Sequence, residues 1–389
     1  MNALTQANVQ GDALSRLYAG SEKLWLKSQR FDLYFIIFSA SIAVVPILLY
    51  YMGIYWLGLS SSVGGTSFNA EDLVTVFVMF LIGGPHVFTT YTRTYFERGF
   101  IKRKPFWFYS SFAVLFFVPF MALFNATTNR LLMTMFFFAA SIHILHQLSY
   151  VVKSYNEKDQ RPAPRWHRMV EYAVVLTSLY PVAGYRMVEG TFQIGRVDPM
   201  LPAFMTGGPE RVTFGAMLDQ PALFSQWALG NWFWLGPAVI LSIAFTLFMY
   251  KSWVEVKAGT LHKPKFTLIL ITVVLGLVIP SFPNLDSSFQ GYNAWHSFQY
   301  LALAWYINRL RFERGEISSS WVKSFSGLGR RQAMKFYATA LGATMGLIAA
   351  VLGFFTLASY MGFQAVSLTA AYNAIAMAFL LVHYYHDAY

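Results

Sequence analysis

The sequence predicts an all-α polytopic membrane protein of about ten transmembrane helices, with the N-terminus and C-terminus cytoplasmic. Three observations carry this. Of 389 residues, 56% are hydrophobic and only 12% charged, against about 25% charged in a soluble domain. Apolar runs of the length that crosses a bilayer, about 20 residues, recur through the chain. Lys and Arg gather on one side of those runs, as cytoplasmic loops do.

In order, the runs cover 34–58, 72–95, 105–124, 131–152, 169–186, 229–250, 266–283, 291–308, 337–360 and 368–387. Before them, residues 1–33 read as a cytoplasmic or interfacial leader, with Leu14, Leu17, Leu24 and Trp25 set among Arg16, Lys23, Lys27 and Arg30 in the manner of an amphipathic helix. It lacks a basic stretch followed by an apolar core and a small-residue cleavage site, so no secretory signal is expected. Residues 34–389 read as one transmembrane domain. In its second run Gly83-Gly84-Pro85 predicts a kink just before His86, because proline removes a backbone donor. The longest hydrophilic insert, about 187–228, falls outside the membrane on the extracytoplasmic face, and Trp227, Trp232 and Trp234 beside it read as an outer aromatic belt.

With the N-terminus inside, the outer segments hold Arg130, Arg186, Arg196 and Arg211, and every other one of the 29 Lys and Arg falls inside. This orients the chain in a bacterial-type inner (plasma) membrane. It also explains the net charge of +11 without nucleic acid as a partner. Ten spans return the C-terminus to the inside, where Tyr389 follows the last span without a basic anchor, as in a fragment. Cysteine is absent, which excludes disulfides, iron–sulfur clusters and thiolate metal sites.

The chemistry is in the histidines. His167 and His262 lie in basic inner loops and read as solvated. The other six, His86, His143, His146, His296, His383 and His386, lie in spans two, four, eight and ten. All four spans run from outside to inside, and all but His296 fall in the inner half. Residues three and four apart share a helix face, so each histidine has polar company: Thr89 and Thr90 then Arg93 after His86, Gln147 after His143, Gln299 and Tyr300 after His296, Asp387 after His383. Polar stripes in lipid are costly unless they face partners, and four stripes at compatible depths predict one buried pocket. Neutral imidazole ligates iron, copper or zinc and hands its second N–H to an oxygen acceptor. Gln147, Gln299, Asp387 and the threonines Thr89 and Thr90 are candidate acceptors, and Gln147, Gln299 and Asp387 are expected to orient the ligand imidazoles without being ligands. Arg93 is expected to reach a substrate headgroup or to pair with Glu97. Carboxylates are scarce in the spans, which argues against an acid-rich di-iron site.

His143-Ile-Leu-His146-Gln147, His296-Ser-Phe-Gln299-Tyr300 and His383-Tyr-Tyr-His386-Asp387 resemble the histidine clusters of integral-membrane non-haem iron oxygenases and desaturases. They also resemble the spread histidines of bacterial carotenoid-cleaving dioxygenases. Gly-Gly-Pro-His, His-x-x-Gln-Tyr and the terminal His-x-x-x-Asp resemble motifs of uncharacterised bacterial polytopic proteins. The likeness covers four short motifs, and the adjacent His-His pairs of desaturases and alkane hydroxylases are absent. It implies non-haem iron, oxidation of a lipid-like or isoprenoid substrate by an oxygenase, hydroxylase or desaturase, and an electron-donor protein as partner. Two other readings stay open. One is a transporter or channel with a polar histidine pathway. The other is a b-type haem electron-transfer protein, with two histidines as axial ligands.

Overall fold

A computed structural model describes residues 24–61, 68–159, 164–190, 200–201, 203–206, 212–362 and 368–387. Most of the leader and much of the 187–228 insert lie outside the described residues. Among the described residues all regular structure is helical. The principal helices are α1 (Gln29–Tyr55), α2 (Ala70–Tyr91), α3 (Pro105–Phe124), α4 (Ala126–Lys158), α5 (Arg165–Thr177), α6 (Tyr180–Val188), α7 (Phe224–Lys257), α8 (Lys263–Val278), α9 (Leu285–Glu313), α10 (Ser320–Ser326), α11 (Arg330–Tyr360) and α12 (Leu368–Asp387).

Seven helical stretches, α1–α4, α7, α8 and α11 with their short extensions, are long and apolar enough to cross a membrane. Phe116, Phe124, Ile243 and Leu357 are exposed on them. Apolar surface on that scale is a property of lipid-facing helices, and the chain is a membrane protein. The three remaining expected spans are also helical. The fifth is broken into α5 and α6, the eighth (α9) carries many polar residues on its buried faces, and the tenth is α12.

α9 is the hub. It packs on α1, α2, α4 and α10, while α12 packs on α2, α3, α4 and α11. Tight approach is bought by small residues: a Cβ on Gly291 of α9 would collide with the Ala43 carbonyl oxygen of α1. Gly291→Ala is therefore expected to destabilise the protein by about 1–3 kcal/mol, the usual range for overpacking, read as a lower midpoint in detergent thermal unfolding. An unchanged midpoint would mean that α1 and α9 can separate freely.

The expected distortion before His86 is present. A π-helical turn, Met79–Gly83, precedes Gly84 and Pro85. Pro85 has no N–H for the carbonyl four residues back, and the Tyr337 hydroxyl of α11 donates to that carbonyl, Leu81 O, at 2.6 Å. Such turns are frequent at functional sites because they re-aim side chains.

The loop histidines are not solvated as expected. His262 is buried, accepts from the Lys265 N–H to cap α8 and meets the Tyr155 ring. His167 lies 3.5 Å from the Glu255 carboxylate. Burial, with the Lys251 ammonium nearby, holds it below its ordinary pKa against the pull of Glu255. These contacts border a buried ionic knot. Glu171 of α5 takes Lys251 of α7 at 2.8 Å and Lys265 of α8 at 2.7 Å, and Asn156 of α4 bridges Glu171 and Lys265. Buried charges persist only when paired in this way. The tryptophans also differ from expectation: Trp232 is exposed, but Trp227 is buried.

Candidate metal centre

His86 of α2, His143 of α4, His296 of α9 and His383 of α12 converge, each offering a ring nitrogen within 4.8 Å of the others. Of the four helices that carry them, α2 and α4 each pack on both α9 and α12. His86, His296 and His383 are at most 2% exposed, and His143 is half-buried. His86 Nε2 and His383 Nε2 are 2.7 Å apart, so one proton lies between them. The rings meet edge to face: His296 centres 4.7 Å from His86 and 4.9 Å from His143. The Tyr384 ring stacks on His143 at 4.3 Å.

Four ring nitrogens test the site for a metal. His86 Nδ1, His143 Nε2, His296 Nδ1 and His296 Nε2 are buried without a hydrogen-bond partner. A buried polar atom left unpaired costs about 1–3 kcal/mol, and four in one cluster call for a ligand. The donor set of four neutral imidazoles, with no carboxylate among them, suits zinc, copper, iron or nickel. These four residues fit a metal ion.

Around them runs a chain of hydrogen bonds. Thr90 Oγ1 donates to Asp387 Oδ1 at 3.0 Å and lies 2.8 Å from His383 Nδ1. A hydroxyl that donates to the carboxylate accepts from the imidazole, so His383 carries its proton on Nδ1. Its Nε2 lone pair then faces the other histidines, the arrangement a ligand imidazole needs. The Tyr300 hydroxyl donates to Asp387 at 2.7 Å, and its ring lies 4.4 Å from that of His86. Arg93 pairs with Asp387 at 3.2 Å and donates to the Tyr300 hydroxyl.

The sequence-derived site divides accordingly. His86, His143, His296 and His383 come together. His146 and His386 do not: His146 is exposed, and His386 sits against the rings of Tyr95 and Phe100. The reason is helical geometry. A residue three positions on is turned by about 60° and displaced by about 4.5 Å along the axis, too far to share so compact a cluster. Gln147 and Gln299 are at the site, but they brace helices and do not touch the imidazole nitrogens. Gln147 donates to the His296 carbonyl at 3.2 Å and to Gln299 at 3.0 Å, and Gln299 donates to the Ile36 carbonyl of α1 at 2.9 Å. Asp387 reaches His383 mainly through Thr90. Arg93 joins the network through Asp387 and Tyr300; Glu97 instead takes Arg311 at 3.2 Å and the backbone N–H of Ser318. Thr90 was among the acceptors expected from the sequence, whereas Tyr300 was expected only as polar company of His296. Their signal, four residues after His86 and after His296, was visible, but which hydroxyl would meet which imidazole depends on packing between α2, α9 and α12.

Comparison with protein-family models, with curated proteins and with solved structures finds no match. The fold and the site together define a helical membrane protein with a buried four-histidine cluster able to hold a metal ion.

Proposed function

We propose that the protein is an integral-membrane metal oxidoreductase, with non-haem iron held by His86, His143, His296 and His383, that oxidises a lipid-like or isoprenoid substrate. The observation that carries this reading is the convergence of four imidazoles, three buried and one half-buried, with four ring nitrogens that lack partners. Iron in such a site would supply dioxygen binding and activation. The chain's own residues supply the rest. Thr90 and Asp387 hold the His383 proton away from the cluster, Arg93 offsets the Asp387 charge, and Tyr384 and Tyr300 fix the His143 and His86 rings. A narrow crevice of about 80 Å³ reaches His86 past Met133, Phe136 and Leu380, with Asp286, Gln290 and Asn373 also on its walls. That is below the roughly 300 Å³ of ordinary ligand pockets, so it suits a small ligand such as dioxygen, and a lipid-like substrate would reach the cluster only if its walls part.

In this reading the chain crosses the membrane ten times, with α5 and α6 forming one broken span and both termini cytoplasmic, in a bacterial-type plasma membrane. A separate protein delivers electrons. The test is elemental analysis of the purified full chain, with an optical spectrum. The expected result is iron in stoichiometric amount without a Soret band. A Soret band would mean haem. Absence of any metal after reconstitution with ferrous iron would overturn the reading and favour transport.

A further inference from the structure

The crevice of about 80 Å³ that reaches His86 lies between the four helices that carry the cluster. Apart from Val87, every residue that α2, α4, α9 and α12 give to its wall is His86 itself or precedes the histidine of its helix. Thr75, Met133, Asp286 and Asn373 lie ten or eleven residues before their histidines, which is about 15 Å along the axis at 1.5 Å per residue. The crevice therefore runs lengthwise, from the N-terminal ends of these helices down to the cluster. The opposite end is filled. One turn past the histidines, Thr90, Tyr300 and Asp387 bond to one another and to Arg93, and Gln147 bonds to Gln299.

The wall is more polar than dioxygen requires. Dioxygen dissolves in hydrocarbon, whereas a cation leaves water only where polar groups take the place of that water. Thr75, Asp286, Gln290, Asn293 and Asn373 supply oxygen atoms along the crevice. Asp286, 8% exposed, is the one carboxylate on it among the described residues. Met79, Met133 and Met377 complete much of the wall, and methionine side chains are flexible enough to move aside. The volume admits two or three waters at about 30 Å³ each, enough for a partly hydrated ion. At the inner end, His86 Nδ1 is buried without a hydrogen-bond partner. We infer that the metal ion enters the histidine centre through this crevice, with Asp286 collecting it near the N-terminal ends of the helices. The inference rests on the cluster being a metal site, as proposed above. In the ten-span topology the entrance is extracytoplasmic. Because the path stops at the histidines, it fills a site and does not conduct.

Stopped-flow mixing of the chelator-stripped full chain in detergent with zinc, followed by a zinc-responsive dye, gives the loading rate. Release to a strong chelator gives the reverse rate. Asp286→Asn should slow loading about tenfold, the low end of electrostatic steering into a cleft. It should slow release alike, so that the affinity stays that of the wild type. The chain has no cysteine of its own, so Thr75→Cys can be labelled after folding with a trimethylammonium-ethyl methanethiosulfonate. The label puts bulk and positive charge at the mouth, and loading should slow about tenfold or more against the same protein unlabelled. Ser324→Cys, exposed on α10 and so past the C-terminal end of α9, is the labelled control and should load as fast as the wild type. An unchanged loading rate in Asp286→Asn, or in Thr75→Cys with labelling confirmed by mass, would overturn the entry route and leave the metal centre standing. So would an Asp286→Asn variant of lower affinity, since Asp286 would then hold the ion and not pass it on. A wild type that binds no zinc would overturn the metal centre itself, and the route with it.

Discussion

Replacing His296 by alanine is expected to cost more than about 100-fold in metal affinity, beyond the 10–100-fold typical of losing an outer hydrogen-bond partner. His296 brings two buried ring nitrogens with no other partner, and it lies between His86 and His143. Its removal takes away a ligand and leaves a void beside the remaining three. His146→Ala and His386→Ala are the controls. Both remove a histidine one turn from the cluster while keeping the cluster histidine on the same helix, and both should bind metal as the wild type does. Isothermal titration of the chelator-stripped protein with ferrous iron under anaerobic conditions, and with zinc as a redox-inert check, gives the comparison. If His296→Ala binds as tightly as His146→Ala, the cluster is a packing feature and not a metal centre.

The second large effect is expected at Thr90. Valine keeps the shape and removes the hydroxyl that joins His383 Nδ1 to Asp387. The His383 ring is then free to adopt the other tautomer or to rotate, and Asp387 loses one of its donors. Thr90→Val should weaken metal binding about 10–100-fold, while Thr90→Ser should restore it. Because α2 keeps its packing in both, the threonine–serine–valine series separates orientation of the imidazole from general loss of fold. A serine variant as weak as the valine one would point to lost methyl packing instead.

Much of the fold was legible because a bilayer imposes a simple code. Long apolar runs marked α1–α4, α7, α8 and α11, and Gly83-Gly84-Pro85 marked the distortion before His86. The site was legible in part. Helical spacing put polar residues beside each histidine, and the four clustered histidines were all in the expected set. Spacing could not choose between His143 and His146, or between His383 and His386, because each pair lies within about 60° on its helix. The rotation of the helix about its own axis decides that, and packing between helices sets the rotation. The glutamines show the same limit. Gln147 and Gln299 have the right position for bonding an imidazole, yet backbone carbonyls of neighbouring helices compete for them and win. His262 was misread for a related reason: a loop near the membrane is not thereby wet, and a histidine there can cap a helix end.

The ionic knot around Glu171 has a consequence for how the chain is made. Glu171 is synthesised with only Asn156 of α4 ready to receive it, and the Lys251 that neutralises it follows 80 residues later. Until α7 and α8 emerge, the Glu171 carboxylate, near the start of the broken span, has only Asn156 and water as partners. Lys251 and Lys265 take the place of that water, so closing the knot couples the docking of α7 and α8 onto α5.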